Sequence, residues 1–477
     1  MTRSLATFAA ALAAVLLAAC AGGPTRVEPL PAADLPGQWQ APLPHNGQAA
    51  DLARWWEQFD DPTLARLVAA AQAVNPTLAT ARSRIAQARA TRVGAGAALL
   101  PQVDADASIV RGRQDFVSPL GTLAQGGVQA AWEIDLFGAN RAGRDAAQAR
   151  LEGAQANWHA ARVSVAAEVA SAYVGLRACE AQLVTTRTDA DSRGETARLT
   201  ELSARAGFQP PAVAALSRAS AAQARAQLSA QQAQCDVSVK ALVALTGIAE
   251  PALREQLAAA STQLPQPAQI GVAAVPGELL NQRPDLHVAA RELVAASADV
   301  SQARARRWPR ITLSGSISAA RFEAAGVTGD GTLWSLGPLA VSLPLFDGGT
   351  RAANVEAAKA RYDEAAASYR ATLRGAVREV EEALVQLDAT ARQTEDARIA
   401  VEGYEASFKA TDARFRGGLA SLFELEDARR SAAQANSQYI DLQRQRVNAW
   451  IALYRALGGG WTPADHSASA GHEPVVK

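Results

Sequence analysis

Apolar and polar residues alternate one by one in four short stretches of the chain, and apolar residues recur every three or four positions almost everywhere else. Strict alternation predicts β-strands with one apolar and one polar face. The four stretches form two pairs, at about residues 101–137 and about residues 309–346. The chain is therefore predicted to be mainly α-helical, with a small amphipathic β component.

The longest predicted helices follow the strand pairs. Two runs of 66 residues without proline, 140–205 and 351–416, would each be roughly 100 Å long as a continuous helix. A glycine-containing turn ends each run, and a shorter helix then returns to Leu245 or Leu457. A further helix is predicted before each strand pair, over residues 64–92 and 277–306. Many inward positions are Ala, which favours close packing of several helices.

Sequence landmarks recur at a nearly constant offset. Pro76 and Pro284 are 208 positions apart, and Gly207 and Gly418 are 211 apart. This spacing predicts an internal duplication of a domain-sized unit. The expected organisation is a first repeat unit over 63–270, a second over 271–461, and a disordered polar tail over 462–477.

The first twenty residues have the pattern of an export signal. Arg3 is the only charge before an apolar run that ends in Leu-Ala-Ala-Cys. This ending resembles a bacterial lipobox, so residues 1–19 are expected to be removed and Cys20 to be lipidated, which makes 20–62 a lipidated N-terminal segment. Ala21, rather than Asp, implies sorting to the outer membrane. An ordinary signal peptide with a chance Cys is the alternative.

Composition excludes several classes of function. The 47 Lys and Arg residues balance 47 Asp and Glu residues, and no basic run could follow a phosphate backbone, so no nucleic-acid partner is expected. The five His residues lack metal-ligand spacing, and no Gly-rich loop precedes a Lys. We therefore expect no metal site, no cofactor and no enzymatic activity.

Two cysteines are placed symmetrically about a turn. Cys179 and Cys235 are equally far from Gly207, between two antiparallel predicted helices. They should lie at the same height on neighbouring helices, in an oxidising compartment. The spacing predicts a disulfide, with a pair of small buried thiols as the alternative.

The strands by themselves cannot form a closed membrane structure. About eight strands are the usual minimum for a barrel, and open strand edges are costly in lipid. Three copies of the chain would supply twelve strands and pair every edge. The polar positions would then line a water-filled lumen, made acidic by Asp104, Asp106, Glu133 and Asp135. The pattern predicts a homotrimeric, 12-stranded outer-membrane β-barrel.

Longer motifs carry a family resemblance. They are the lipobox Cys20, Trp55–Leu64, Trp132–Gly138, Arg283–Leu286, Leu343–Gly349 and Ala449–Trp461. The chain resembles the TolC-like outer-membrane factors, in particular the NodT/OprM-like lipoprotein branch that serves resistance-nodulation-division (RND) efflux systems. The resemblance implies a trimer whose barrel continues into a long periplasmic α-helical coiled-coil tunnel. It also implies docking, through a periplasmic adaptor (membrane fusion) protein, to an inner-membrane RND pump.

The resemblance assigns roles to residues at the ends of the two helical hairpins. Asp412 matches an acidic constriction residue of the family, and Phe408 is one turn earlier on the same helix face. The expected periplasmic gate comprises Asp412, Phe408 and the partner residues Arg414 and Arg416. The tips that contact the adaptor comprise Gly207, Phe208, Gly418 and Leu419. A solvated charge near a helix end is the alternative for Asp412.

The expected function is passive conduction of drugs or other small toxic compounds from periplasm to exterior, by a lipid-anchored channel of the cell outer membrane. The alternatives are a type I secretion duct, a metal-ion efflux duct, and a structural coiled-coil lipoprotein without a pore. The lipobox favours drug efflux over type I secretion. A mature chain without Met offers no thioether ligands for Cu(I). A structural spacer would not need the strand alternation.

Overall fold

The structure is a computed structural model that describes residues 40–41, 59, 61–113, 119–258, 264–266 and 282–461. The predicted signal sequence, Cys20 and the tail 462–477 lie outside the described residues. The helices and strands are α1 Pro62–Val74, α2 Pro76–Ala97, β1 Gln102–Gly112, β2 Gly121–Ile134, α3 Ala139–Arg205, α4 Pro211–Thr246, α5 Glu250–Ala258, α6 Pro284–Ala305, β3 Arg310–Ala324, β4 Val327–Ser342, α7 Thr350–Arg416 and α8 Leu422–Ala456. A short 3₁₀ turn, Gly458–Gly460, follows α8.

The order helix, two strands, long helix and shorter helix occurs twice. α2 and α6 have 22 residues each, α3 and α7 have 67 each, and α4 and α8 have 36 and 35. The long helices end where the sequence predicts, and each begins one residue earlier. The described helices include none that is both long and apolar enough to cross a membrane.

The single helix predicted over residues 64–92 is wrong, because the structure has two helices there, α1 and α2. The break is at Asn75, which has an extended backbone with φ −65° and ψ 125°. The ring of Pro76 disfavours the helical conformation in the residue before it. The Asn75 side chain then accepts a hydrogen bond of 2.8 Å from the backbone N–H of Thr77, at the start of α2. In the second half, α6 begins at Pro284, and residues 277–281 lie outside the described residues.

Two compact units make up the described chain. The first contains the whole sheet and comprises described residues of Ser83–Gln155 and His287–Ala371. The second contains both hairpin tips and comprises described residues of Asp34–Arg82, Ala156–Leu286 and Thr372–Lys477. Each unit takes segments from both halves of the sequence, so the units do not coincide with the predicted repeats.

The main apolar core belongs to the second unit. Its fully buried members come from seven helices, α1 to α5, α7 and α8, and include Leu64, Leu67, Tyr173, Leu242, Leu384 and Leu453. Burying one such side chain contributes about 1.5–3 kcal/mol. The position of the short helix α1 is therefore fixed by packing, because its apolar side chains are buried in this core.

A buried arginine ties α1 and α5 to α3. Arg177 donates to Glu180 at 2.6 Å, to the Tyr173 hydroxyl at 3.1 Å and to the Leu257 carbonyl at 3.1 Å. The Tyr173 hydroxyl in turn donates to the carboxylate of Asp61 at 2.5 Å. Asp61 also caps α1, because its other oxygen accepts from the backbone N–H groups at the start of that helix. Each buried polar group named here therefore has a partner.

A second buried arginine explains the Arg-Pro-Asp-Leu motif. Arg283 donates to the Ala456 carbonyl at the end of α8 (2.7 Å), to Asp285 (2.7 Å) and to Glu379 (2.9 Å). Next to it, a Cβ on Gly458 would lie 2.0 Å from the Gln282 carbonyl oxygen. Only glycine fits at position 458, where the chain after α8 passes close to the backbone of Gln282 and Arg283.

A disulfide joins α3 to α4 at the pair that the sequence predicts. The Cys179 and Cys235 sulfurs are 2.06 Å apart, and their Cα atoms are 5.6 Å apart. Both residues are buried within the core of the second unit.

In the first unit, α3 and α6 pack through alanine. Ala146 and Ala149 contact Ala295, and all three are almost completely buried. Because these side chains are small, the helices approach closely, and ion pairs flank the contact, with Arg150–Asp299 at 2.5 Å.

Candidate functional site

The first candidate site is the sheet, which has four antiparallel strands in the order β1-β2-β3-β4. The outer edges of β1 and β4 pair with no other strand in the described part of this chain. The strands have 11 to 16 residues and lie within the two predicted pairs, at about residues 101–137 and 309–346. An isolated sheet of this kind leaves two rows of unpaired backbone groups.

Polar residues align across all four strands on one face. One row of register partners is Asp104, Gln129, Ser316 and Ser335, and the hydroxyls of the two serines are 3.0 Å apart. Asp106 lies on the same face, opposite Gly127. Glu133 also lies on this face and pairs with Arg310 at 2.7 Å. Three of the four predicted lumen carboxylates therefore share one face.

The opposite face is apolar and exposed. One row of partners is Ala105, Val128, Ile317 and Trp334, and a neighbouring row is Trp132, Leu313 and Leu339. Ile317 is 55% exposed and Trp334 76% exposed. An apolar surface of this extent is typical of a protein or membrane contact.

A bulge keeps the apolar face of β4 continuous. Leu313 and Gly315 are two positions apart on β3, whereas their partners Leu339 and Leu336 are three apart on β4. One extra residue reverses the alternation, so Leu336 before the bulge and Leu339 after it lie on the same face. Pro338 lies within the bulge, where its missing N–H is tolerated.

The prediction that Asp135 belongs to a strand is wrong, because β2 ends at Ile134. The Asp135 carboxylate instead accepts hydrogen bonds from the backbone N–H groups of Asn140 (3.1 Å) and Arg141 (2.9 Å), and it also pairs with the Arg141 side chain. It is therefore the anchor for the start of α3. An acidic side chain is favoured there by the positive end of the helix dipole.

The second candidate site is the pair of hairpin tips, which end in the same way. Gly207 and Gly418 have positive φ values of 80° and 72°. In each tip the residue after the glycine donates its N–H to a carbonyl five residues earlier, Phe208 to Ser203 at 2.9 Å and Leu419 to Arg414 at 2.8 Å. This is the Schellman closure of a helix, and it depends on glycine in the left-handed conformation.

Large apolar side chains are exposed at both tips. Phe208, Leu419 and Phe423 are 83%, 73% and 78% exposed. Phe423 was missed by the sequence reasoning, although its position in the first turn of α8, beside the predicted tip, is a usable signal.

The predicted gate residues lie on the last turns of α7. Asp412 is half-buried and pairs with Arg416 at 2.9 Å on the same helix. Arg414 instead donates to the Leu419 carbonyl at 3.1 Å and lies 3.9 Å from Glu424. Of the two predicted partners, the structure therefore brings only Arg416 to Asp412.

Charged residues that sequence reasoning missed form a compact group behind the tips. We call Asp189, Arg193, Glu426 and Arg429 the tip charge cluster. Glu426 of α8 accepts hydrogen bonds from Arg193 of α3, Ser220 of α4 and Arg429 of its own helix. Arg429 also donates to Thr196 at 2.9 Å, and its guanidinium lies 5.6 Å from the centre of the Phe408 ring. The cluster therefore joins all four helices of the two hairpins.

The electrostatics of the tip follow from burial and hydrogen bonding. Burial lowers the pKa of Arg429, although the side chain remains a cation at any physiological pH. Hydrogen bonds from the Ser421 backbone N–H and hydroxyl lower the pKa of Glu424, because Ser421 and Glu424 form the capping box of α8. Over the described ranges, no three His, Cys, Asp or Glu residues are grouped so that they could hold a metal ion.

Comparison with known proteins gives a consistent family. The family model described as "Outer membrane efflux protein" matches residues 67–248 and 275–459, which is most of the chain. The chain belongs to the outer membrane efflux protein family. It is 33% identical to the outer membrane protein OprJ of Pseudomonas aeruginosa over 465 residues, which cover 95% of each chain. It is 29% identical to nodulation protein T of Rhizobium leguminosarum bv. viciae over 460 residues, which cover 95% of this chain and 93% of the relative.

The solved structure of the outer-membrane channel OprN has a TM-score of 0.80 with this chain and 29% sequence identity, and covers 91% of this chain and 98% of its own. The family resemblance predicted from the motifs is thereby confirmed. This member of the outer membrane efflux protein family is an outer-membrane channel of an efflux system. Its mainly helical fold with one small sheet also agrees with the prediction.

Proposed function

We propose that the chain forms a homotrimer whose three sheets close a 12-stranded β-barrel, and that the trimer passively conducts drugs or other small toxic compounds outward without catalysis. The single observation that carries this is the four-stranded sheet, which has one apolar face, one polar face and two unpaired edges. Three copies related by threefold symmetry pair β4 of one copy with β1 of the next. No edge is then left unpaired in lipid.

The length of the apolar face along the strands supports the placement of the sheet in the membrane. On β3 the apolar positions run from Ile311 to Ala319. At about 3.4 Å per residue this is about 27 Å along the strand, and roughly 21 Å along the membrane normal at a tilt near 40°. Outer-membrane barrels have an apolar band of about 25 Å. The polar face then surrounds the lumen, where Asp104, Asp106 and Glu133 from three copies make the wall acidic.

The hairpin tips support a gate and a docking surface in the periplasm. Among the ion pairs of the tip, Asp412 pairs with Arg416 of its own helix. Each copy supplies one Asp412 carboxylate, so a ring of three carboxylates forms only in the trimer. The exposed side chains of Phe208 and Leu419 supply apolar contacts for a periplasmic adaptor protein. The adaptor connects the channel to an inner-membrane RND pump.

Three further features complete the proposal. Lipidation of Cys20 anchors the trimer in the outer membrane. The repeated element order and the equal lengths of α3 and α7 support an internal duplication over residues 63–270 and 271–461. The family is one of channels rather than of enzymes, which supports a chain without a cofactor or nucleic-acid partner.

The test is reconstitution of the purified chain in a planar bilayer, together with deletion of its gene and measurement of drug susceptibility. We expect a detergent-resistant trimer with discrete conductance steps and a deletion strain that accumulates dyes and drugs. A trimer without conductance would instead favour a structural coiled-coil lipoprotein. Loss of a secreted polypeptide, or sensitivity to metal ions alone, would favour the type I or the metal-ion duct.

A further inference from the structure

Near the hairpin turns, apolar and polar residues exchange faces of the sheet. Away from the turns, one face carries the polar residues Asp104, Gln129 and Ser316. Close to the turns, the same face carries a row of apolar residues. That row consists of the register partners Val110, Leu123, Phe322 and Gly329. It lies on the same face as Asp104 because Val110 is six positions further along β1, and an even separation keeps the face.

Charged residues lie at the same level on the other face. Ile109 and Ala124 are followed across the sheet by Arg321 and Asp330, and the next row contains Arg111, Thr122, Glu323 and Thr328. On β3 the apolar band of that face therefore ends at Ala319. Beyond it the side chains suit water or lipid headgroups, so the apolar row of Phe322 lies at the level of the membrane surface.

Contacts hold the Phe322 ring against the sheet. A Cβ on Gly121 would lie 3.0 Å from Cε2 of Phe322, so the ring covers this glycine. Ala324 is 6% exposed, and its Cβ is also 3.0 Å from the same point. The phenylalanine thus packs across two rows and cannot turn toward the outer face.

We propose that Val110, Leu123 and Phe322 of the three copies form an apolar collar around the exterior end of the barrel lumen. The collar rests on the trimeric barrel proposed above, because each copy supplies a third of it. With twelve strands about 4.8 Å apart and tilted by about 40°, the backbone radius is about 12 Å. An apolar wall offers ions no polar groups in exchange for their hydration water.

The collar acts as a selectivity element in addition to the periplasmic gate. Amphipathic compounds lose little when they pass an apolar ring, whereas ions and hydrophilic solutes lose hydration. The collar therefore favours passage of amphipathic compounds over hydrophilic ones, in either direction.

Single-channel conductance of the reconstituted trimer tests the collar, with every variant made in the Asp412→Ala background so that the proposed periplasmic gate does not limit the current. Phe322→Ser and Leu123→Ser are expected to raise the conductance in KCl by roughly twofold or more, because each places three hydroxyls in the ring. Phe322→Leu keeps the ring apolar and is expected to match the Asp412→Ala parent channel. Ala124→Ser, a neighbour of Leu123 on the opposite face, is the matched control and is expected to change nothing.

Thiol labelling gives an independent measurement that does not require a polar variant to fold well. Phe322→Cys, treated with a bulky hydrophilic maleimide, is expected to block current, whereas labelled Arg321→Cys is expected to conduct normally. The collar is overturned if the trimer conducts and both serine variants equal Ala124→Ser, or if labelling at position 321 blocks instead. A native chain that forms no conducting trimer would overturn the proposed function itself.

Discussion

Replacing Glu426 by Gln should loosen both hairpin tips, because this carboxylate is the hub of the tip charge cluster. It accepts from Arg193, from Ser220 at 2.9 Å and from Arg429 at 2.5 Å, and so contacts α3, α4 and α8. The amide of Gln has nearly the same shape but no charge. Two arginines then remain with the single carboxylate of Asp189.

The cost follows from the burial of the three charged groups. The side chains of Arg429, Arg193 and Glu426 are 3%, 18% and 20% exposed. Removing one partner of a fully buried ion pair costs about 3–5 kcal/mol, whereas an exposed pair contributes about 0–1 kcal/mol. Partial exposure and the retained amide oxygen place the change at about 2–3 kcal/mol of local stability. This corresponds to a change of roughly 30- to 160-fold in a local opening equilibrium.

Hydrogen–deuterium exchange of the trimer, followed by mass spectrometry, measures that equilibrium. Peptides that cover residues 189–200 and 422–432 should exchange roughly 30- to 160-fold faster in Glu426→Gln. Peptides from the core around residues 165–177 should not change. The matched control is Glu395→Gln, whose ion pair with Arg398 lies on the exposed surface of α7, and it should alter exchange by less than about threefold.

Equal exchange at the tips in Glu426→Gln and Glu395→Gln would contradict the role of Glu426 as the hub of the cluster. That role would also be refuted if the acceleration spread equally to the core peptides, since that would indicate general destabilisation rather than loss of a local tie.

Three further predictions concern the tips and the disulfide. Asp412→Ala should raise the closed-state conductance in a planar bilayer. The control is Asp388→Ala, which removes an equivalent i,i+4 ion pair of α7 and should leave the conductance unchanged. Equal conductance in the two variants would show that Asp412 is not part of the gate. Replacing both Cys179 and Cys235 by Ser should lower the free energy of unfolding of the second unit by about 4 kcal/mol, because the disulfide closes a loop of 56 residues. Urea unfolding measures this change. Two titratable thiols in the unreduced native protein would contradict the disulfide. The pKa of Glu424 is lowered in the folded chain, so its stabilisation of the α8 cap is complete above the ordinary pKa of 4.5 and is lost as the pH falls through the lowered pKa. Hydrogen exchange at the start of α8 should therefore become faster over that pH range. Glu424→Gln should abolish this pH dependence.

Local signals in the sequence were sufficient for most elements. Proline-free runs with apolar residues every three or four positions gave both 67-residue helices, since helix formation depends on contacts within four residues. The glycines at the tips and the cysteine pair also followed from position along two antiparallel helices. The break at Asn75 was available in the Asn-Pro pair, but the apolar periodicity on both sides outweighed it.

Features that join distant parts of the chain could not be predicted in this way. Arg193 and Glu426 are 233 positions apart, and neither has a sequence neighbour that identifies the other. Asp135 alternates with its neighbours like a strand residue, yet it caps α3, because only the geometry of the turn shows where β2 ends.

By itself, the sequence determined the alternating strands, the long helices, the repeated element order and the family to which the chain belongs. These properties depend on short-range periodicity and on motifs that can be recognised residue by residue. Only the tertiary structure decided the register of the four strands, which places Phe322 in line with Leu123 and Val110, and the meeting of α3, α4, α7 and α8 around Glu426. The reason is that register and helix contacts are fixed by packing between segments far apart in the chain, and a periodic pattern is compatible with many such pairings.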